Sequence, residues 1–425
     1  MSAIPAGYKQ TEVGVIPEDW EVARLSSVSR TPVQNGVFNE PARKGRGCKL
    51  INVGDLYTAA PIDINNLEKF DATKTEISKF GVTHGDLFFT RSSITPDGIA
   101  YCNIYDQTTR EDIVFDCHII RVQADNKKVD PFFLAKFCVT RPARIYLVAN
   151  AKTTTMTTVD QAVIGGLPVP LPPLAEQRAI AAALSDVDAL LAKVDQFIVK
   201  KRDIKQAVMQ QLLTGKKRLP GFSGEWEVKP MKSLGNTYGG LTGKTKIDFG
   251  HGRARYIPFM NVMTDTVIDA EWLEAVDVAS NEMQNLTQKG DLFFNGSSET
   301  PEEVGFCSVL LQDIPNLYLN SFCFGFRFNA DAKINGLFFA YWFRSVKGRE
   351  TMAVLAQGAT RYNIAKSAFL RLELPQPTEA EQTAIATVLS DMDAEIAALE
   401  QRRNKTRALK QGMMQELLTG RIRLV

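Results

Sequence analysis

The chain has 425 residues, 44% of them hydrophobic, which suits two or three domains with proper cores. With 50 Lys and Arg against 48 Asp and Glu, its net charge of +2 excludes bulk charge as a reason to bind nucleic acid, so any such face must come from local arrangement. No apolar run reaches the ~18 residues of a membrane span, and the first twelve residues lack a signal-peptide pattern. The six cysteines form no Cys-x-x-Cys pair and are read as forming no cluster with histidine, which argues against structural zinc and a disulfide framework. They are expected to be small buried residues of a protein in a reducing cytoplasm.

In chain order, a first domain opens near residues 17–22 around Trp20, a candidate packing anchor. Short apolar runs between turn residues read as strands at 49–53, 86–89 and 113–122. A short helix is expected over 129–139, with Asp130 as N-cap and Pro131 in the first turn. The Pro-rich stretch 167–173 stops this domain and stiffens its exit. A long helix follows, in which Ile180, Leu184, Val187, Leu191, Val194 and Ile198 recur at steps of four and three. It turns polar at Lys201 and Lys205, shifts its apolar stripe to Ile204, Val208 and Leu212, and stops at Gly215. A short basic linker, 216–223, leads to a second opening around Trp226. Strands are then expected at 255–260, 291–294 and 317–328, and a helix at 334–343. A second Pro exit, 374–377, precedes a second seam of Ile385, Leu389, Met392, Ile396 and Leu399. That seam turns polar at Arg403, Thr406 and Lys410, and its helix stops at Gly420.

The second half thus repeats the first. Gly85-Asp86-Leu87-Phe88-Phe89 returns as Gly290-Asp291-Leu292-Phe293-Phe294, Glu176-Gln177 as Glu381-Gln382, and Leu212-Leu213-Thr214-Gly215 as Leu417-Leu418-Thr419-Gly420. All three pairs lie 205 positions apart, as 176 and 381 do, so they belong to one duplication. Each copy reads as α+β. The fold expected is two pseudo-twofold-related α/β domains separated by two long helices in an antiparallel coiled coil. The parts are 1–173, a helix 174–215, linker and domain 216–377, and a helix 378–425. Each helix would be roughly 60 Å long at ~1.5 Å per residue. An antiparallel pair lets the short linker sit beside the start of the second helix, giving a rod with a domain at each end. Residues 418–424 resemble the linker after the first helix, a nearly circular layout. Pseudo-twofold molecules usually read something that itself has two parts.

Two near-matches to catalytic motifs fail. Gly239-Gly240-Leu241-Thr242-Gly243-Lys244-Thr245 is one residue short of a phosphate-binding loop. Asp130-Pro131-Phe132-Phe133 lacks the second proline of an amino-methyltransferase signature, and no Gly-rich cofactor loop accompanies it. His84, His118 and His251 lie on unrelated segments without counterparts. Neither catalysis nor a cofactor or metal is expected in this chain.

DNA-contacting candidates come from three polar loops per copy. In the first copy, Gln34, Asn35, Arg43, Lys44, Arg46 and Lys49 crowd a segment around Gly45 and Gly47, and its second-copy equivalent holds Lys244, Lys246, Arg253 and Arg255. Arg and Lys suit guanine or phosphate, and Gln and Asn suit adenine. After each Phe-Phe strand come Arg91 and Ser92, or Asn295 and Ser297; before each Pro exit come Thr154, or Arg361, Tyr362 and Asn363. Lys200, Lys201, Arg202, Arg402, Arg403 and Lys405 are read as the wet face of the coiled coil.

The chain resembles the specificity subunit of Type I restriction–modification systems over essentially its whole length. The matching residues are the Trp20 and Trp226 openings, the two Gly-Asp-Leu-Phe-Phe segments, 170–177, Glu381-Gln382 and the Leu-Leu-Thr-Gly ends. The second exit, 374–382, lacks the paired prolines of the first, which weakens only the local match. The resemblance implies two target-recognition domains, each reading half of a split, asymmetric double-stranded DNA site, with helices that set the spacer. It implies no catalytic residues in this chain. Its partners would be two methyltransferase subunits that bind S-adenosylmethionine and two restriction subunits that use ATP and Mg, with no membrane. A coiled-coil scaffold whose two globular domains bind proteins, and a self-sufficient methyltransferase, are the alternatives.

Overall fold

The computed structural model describes residues 4–58 and 60–424. It divides into two units: the chain through Asp195 together with the segment from Arg402, and Gln196–Gln401. Each unit therefore holds part of both long helices. None of the described helices is long and apolar enough to cross a membrane.

The two units share one topology. In the first, strands Gln34–Asn35, Ile119–Gln123, Asp86–Thr90 and Cys102–Ile104 form an antiparallel sheet in that order. In the second, Gly235–Gly239, Cys323–Phe328, Leu292–Asn295 and Cys307–Val309 do the same. The Phe-Phe strand is central in both, and Phe88, Phe89, Phe293 and Phe294 are fully buried. A strand buried on both faces reads as a continuous apolar run, which explains why the duplication is so legible there. The preceding aspartates are buried too. Asp86 is held by Gln123 and Thr83, and Asp291 by Arg327 and by the Tyr238 hydroxyl at 2.5 Å. Desolvation raises the Asp86 pKa.

A second sheet in each unit pairs a long strand, Lys44–Ile51 or Phe249–Ile257, in parallel with Ile113–Phe115 or Leu317–Leu319. Its other edge is antiparallel to Glu68–Phe70 or Glu274–Val276. The runs expected as single strands at 113–122 and 317–328 are thus two strands each, divided by a turn and assigned to different sheets. The short helices are Pro131–Cys138, capped by Asp130 as expected, and Gly336–Arg344, capped by Asn335. The Pro-rich exits are edge strands: Pro168–Leu171 pairs with the opening Glu21–Arg24, and Glu373–Gln376 with Glu227–Pro230. Proline suits an edge because it cannot donate to a further neighbour.

The long helices are Leu174–Leu212 and Glu379–Leu417, each of 39 residues. In the first unit Asp188 meets Lys410 at 2.5 Å, and Asp195 meets Arg403 at 3.4 Å. In the second unit Lys205 meets Asp393, and Arg202 meets Glu400. Advancing along one helix retreats along the other, so the pair is antiparallel within each unit. The polar stretch of the seam becomes these ion pairs. Ion pairs that keep contact with water, as these part-exposed ones do, contribute only about 0–1 kcal/mol each, so their main effect is on register.

Each helix start is locked to its own unit twice. The fully buried Trp20 donates from Nε1 to Glu176 at 3.3 Å, and Arg423 binds Glu176 at 2.6 Å and Asp19 at 2.8 Å. In the second unit Trp226 donates to Glu381 at 3.1 Å, and Arg218 binds Glu381 bidentately. Next, Gln177 accepts from the Asp130 backbone N–H at 2.8 Å, and Gln382 from that of Asn335 at 2.9 Å. The paired Glu-Gln of the sequence is this double latch.

Candidate nucleic-acid interface

The structure brings two of the three predicted polar loops of each copy into one small sheet. Ser92–Ser93 pairs with Thr157–Thr158, which pairs with Lys152–Thr153. In the second unit Ser297–Ser298 pairs with Tyr362–Ile364, which pairs with Ala356–Gln357. Segments about sixty residues apart in sequence thus form one surface, which local pattern could not show. At its margin Arg91 and Thr154 are exposed and Ser92 is half-buried; Arg361 and Asn363 are exposed and Tyr362 is half-buried. The Arg361 guanidinium lies 5.7 Å from the Phe322 ring centre. Ser297 is buried, and Asn295 is fully so. Asn295 donates to the Glu303 carbonyl at 2.9 Å and accepts from the Phe306 N–H at 2.6 Å, so it holds the loop from beneath.

The third loop is a bulged strand rather than a free loop. Pairing breaks between Lys44 and Cys48, and between Phe249 and Ala254. Gly45 and Gly47 have φ of +87° and +84°, and Gly250 and Gly252 of +86° and +102°. A Cβ on Gly47 would lie 2.5 Å from the Phe70 carbonyl oxygen, and one on Gly252 2.4 Å from that of Val276. Both bulges therefore require glycine twice, and each presents the residue between: Arg46 in one copy, His251 in the other. His251, set aside in the sequence, occupies the position of Arg46 at the 205-residue separation.

The two bulges use their cations differently. In the first, Arg43 pairs with Glu76 and stacks on Phe70, Lys44 pairs with Glu68 at 3.0 Å, and Arg46 pairs with Asp71 at 2.9 Å. The Arg43 guanidinium and the Thr73 N–H draw the Glu76 carboxyl down to about 2. In the second, Lys244 is mostly buried against Glu282 at 2.6 Å and draws that carboxyl down to about 2. Lys246, Arg253 and Arg255 are exposed and have no ion pair among the described residues. Lys244 is thereby accounted for, and so is Gly240: a Cβ there would lie 2.0 Å from the Asn320 carbonyl oxygen. Two residues of the apparent phosphate loop, Gly240 and Lys244, are thus committed to packing.

In the first unit Gln34 reaches the Lys79 carbonyl at 3.4 Å, and Asn35 bridges the Cys117 carbonyl and the Gln161 side chain at 2.8 and 2.7 Å. Hydrogen bonds from Asn52 to Glu68 and from Asn39 to Asn52 and Asp116 join the bulge strand to the turn 116–118. That turn corrects the expectation that no cysteine clusters with histidine. Donor atoms of Asp116, Cys117 and His118 lie within 4.8 Å of one another. Asp116 Oδ1 already accepts from the His118 backbone and bonds its Nδ1 at 2.8 Å, and burial pushes the Cys117 thiol up, away from the thiolate that binds metals. The arrangement serves the turn.

A second repeated surface lies beside the helix ends. Phe137, Thr140, Pro170, Gln415, Leu418 and Thr419 line a groove of about 590 Å³ in the first unit. Trp342, Ser345, Pro375, Gln210, Leu213 and Thr214 line one of about 520 Å³ in the second. Every pair is 205 positions apart.

The family model for the Type I restriction modification DNA specificity domain matches twice, at residues 17–198 and 224–407. Among similar proteins, the putative type I restriction enzyme MjaX specificity subunit of Methanocaldococcus jannaschii is 23% identical, over 98% of this chain and 97% of that one. The MjaVIII specificity subunit of the same organism is 22% identical, over 96% and 94%. The S subunit of a Type I restriction–modification system from M. genitalium shares the fold with a TM-score of 0.57 at 13% identity, covering 94% of this chain and 96% of that one. A chain from a structure addressing complex assembly and conformational transition of the type I R-M system gives 0.59 at 15%, covering 96% and 99%.

Proposed function

The chain belongs to the family of Type I restriction–modification DNA specificity subunits, and from that premise we propose that its two copies read unlike halves of one split DNA site. The observation that carries this reading is the pairing of constant scaffold with changed side chains. Both units build the same small sheet and the same two-glycine bulge. Upon them the first sets Arg91, Thr154 and Arg46, and the second sets Arg361, Asn363 and His251. Of the other candidates, Lys246, Arg253 and Arg255 contact phosphate or base, while Arg43, Lys244 and Asn295 position the loops from within.

The recognition domains are residues 1–173 and 216–377, and the helices 174–215 and 378–425 set the spacer between half-sites. The two grooves, which hold the same residue at Pro170 and Pro375, Gln415 and Gln210, Leu418 and Leu213, and Thr419 and Thr214, dock two like partners, the methyltransferase subunits, since a shared surface suits a shared ligand. Those subunits bring S-adenosylmethionine, and two restriction subunits bring ATP and Mg; this chain supplies recognition alone, in the cytoplasm. Selection of DNA from a random pool by the chain assembled with its methyltransferase tests the reading. A split site with two unlike halves is expected. A contiguous site, or no enrichment, overturns it.

A further inference from the structure

The turn between the two sheets places a ring at the same point in both units. In the first it is Asp116-Cys117-His118, between Ile113–Phe115 and Ile119–Gln123; in the second it is Asn320-Ser321-Phe322, between Leu317–Leu319 and Cys323–Phe328. The equivalence is structural. The His118 N–H donates to Asp116 Oδ1 at 2.6 Å, and the Phe322 N–H to Asn320 Oδ1 at 2.8 Å. The His118 carbonyl accepts from the Arg91 N–H at 2.8 Å, and the Phe322 carbonyl from the Gly296 N–H at 2.9 Å. Each ring residue is thus fixed on both sides, one residue from the start of the small polar sheet. Side-chain-to-backbone bonds of this kind make the turn rigid before any ligand arrives.

Both rings face solvent: the His118 side chain is 55% exposed and Phe322 is 58% exposed. A rigid, exposed phenylalanine leaves its burial free energy unused in the folded chain. Arg361 beside it adds a cation without covering it. In the first unit Asp116 holds His118 Nδ1, and Nε2 has no hydrogen-bond partner among the described residues. Resting on the reading that these units bind DNA, we propose that His118 and Phe322 are equivalent base-contacting residues of opposite chemistry. Phe322 packs on the C5-methyl group of a thymine in the second half-site. His118 hydrogen-bonds through Nε2 to a base edge in the first. In the major groove the thymine methyl is the one apolar feature of a base edge, and every base pair offers hydrogen-bonding groups.

The test uses the chain assembled with its methyltransferase, equilibrium binding, and target duplexes in which uracil replaces thymine in one half at a time. Uracil lacks only the methyl group. One uracil position in the second half is expected to weaken the wild type about tenfold, leave Phe322→Ala unaffected, and still weaken Phe322→Leu, which keeps an apolar side chain. His118→Ala is expected to bind about tenfold more weakly and to lose discrimination at one base pair of the first half, with no change in its response to uracil. If Phe322→Ala weakens thymine and uracil duplexes alike, or changes neither, the proposal is overturned. If the wild-type complex prefers neither the target nor the uracil duplexes over random DNA, it is the DNA-reading function itself that has failed.

Discussion

The bulge of the first unit and the bulge of the second have the same two-glycine backbone but pair their cations differently. Around Gly45 and Gly47 each of these cations has a carboxylate neighbour: Arg43 is taken up by Glu76 in a mostly buried pair, while Lys44 and Arg46 meet Glu68 and Asp71 at the surface. Around Gly250 and Gly252 only Lys244 is consumed, while Lys246, Arg253 and Arg255 remain without ion pairs among the described residues. Equal numbers of basic residues in two loops therefore do not mean equal attraction for phosphate. What counts is how many carboxylates the neighbouring strand supplies.

The largest effects should come from the frame that the two units share, and they should reveal an asymmetry in it. Glu381 is fully buried and is the only carboxylate partner of Arg218 among the described residues, whereas Arg423 has Asp19 as well as Glu176. Removing one member of a buried pair costs about 3–5 kcal/mol. Glu381→Ala should reach that range in denaturant unfolding, and Glu176→Ala should cost less because Arg423 keeps a partner. The reverse order would show that the two latches are not built as described. A smaller loss, about 1–3 kcal/mol, is expected for Asn295→Ala, which strands the Phe306 N–H in the interior. Asn295→Thr should restore part of it, since Thr90 at the equivalent place bonds the Tyr101 N–H at 2.9 Å.

The contrast between the bulges can be tested by salt dependence. Arg253→Ala or Arg255→Ala should each lower the slope of log K against log salt by about 1. Arg43→Ala should leave the slope unchanged while weakening the fold. Equal slopes for all three variants would break the comparison. The smallest effect concerns pH. The Glu76 and Glu282 carboxyls have a usual value of 4.5 and lie near 2 in the folded protein. A carboxyl lowered on folding stabilises fully above its unfolded value and loses that contribution as pH falls through its folded one. Stability should therefore decline between about pH 4.5 and 2, and Glu76→Gln and Glu282→Gln should each flatten the decline when followed by thermal melting.

The frame was legible because its signals are local and repeated. Phe88-Phe89, Glu176-Gln177 and the Leu-Leu-Thr-Gly ends are runs whose chemistry is the same in both copies. The seam residues Ile180, Leu184, Ile385 and Leu389 are buried as their spacing implies. The antiparallel course followed from linker length, and the scaffold reading is not favoured by the family match. The site was less legible, for three physical reasons. Strand pairing joins Ser92 to Thr158 across sixty-odd residues, and no periodicity announces it. Arg43 and Lys244 look free in sequence, but their carboxylate partners lie 33 and 38 positions away. Finally, His118 and Phe322 share a place without sharing a residue type, so only the turn geometry reveals them.

The central claim is that one chain reads two unlike half-sites independently. Methylome sequencing of cells carrying the wild-type chain, Arg91→Ala or Arg361→Ala tests it most directly. The account predicts one split, asymmetric motif for the wild type, relaxed only in its first half by Arg91→Ala and only in its second by Arg361→Ala. A contiguous or palindromic motif, or relaxation of both halves by either substitution, would contradict it.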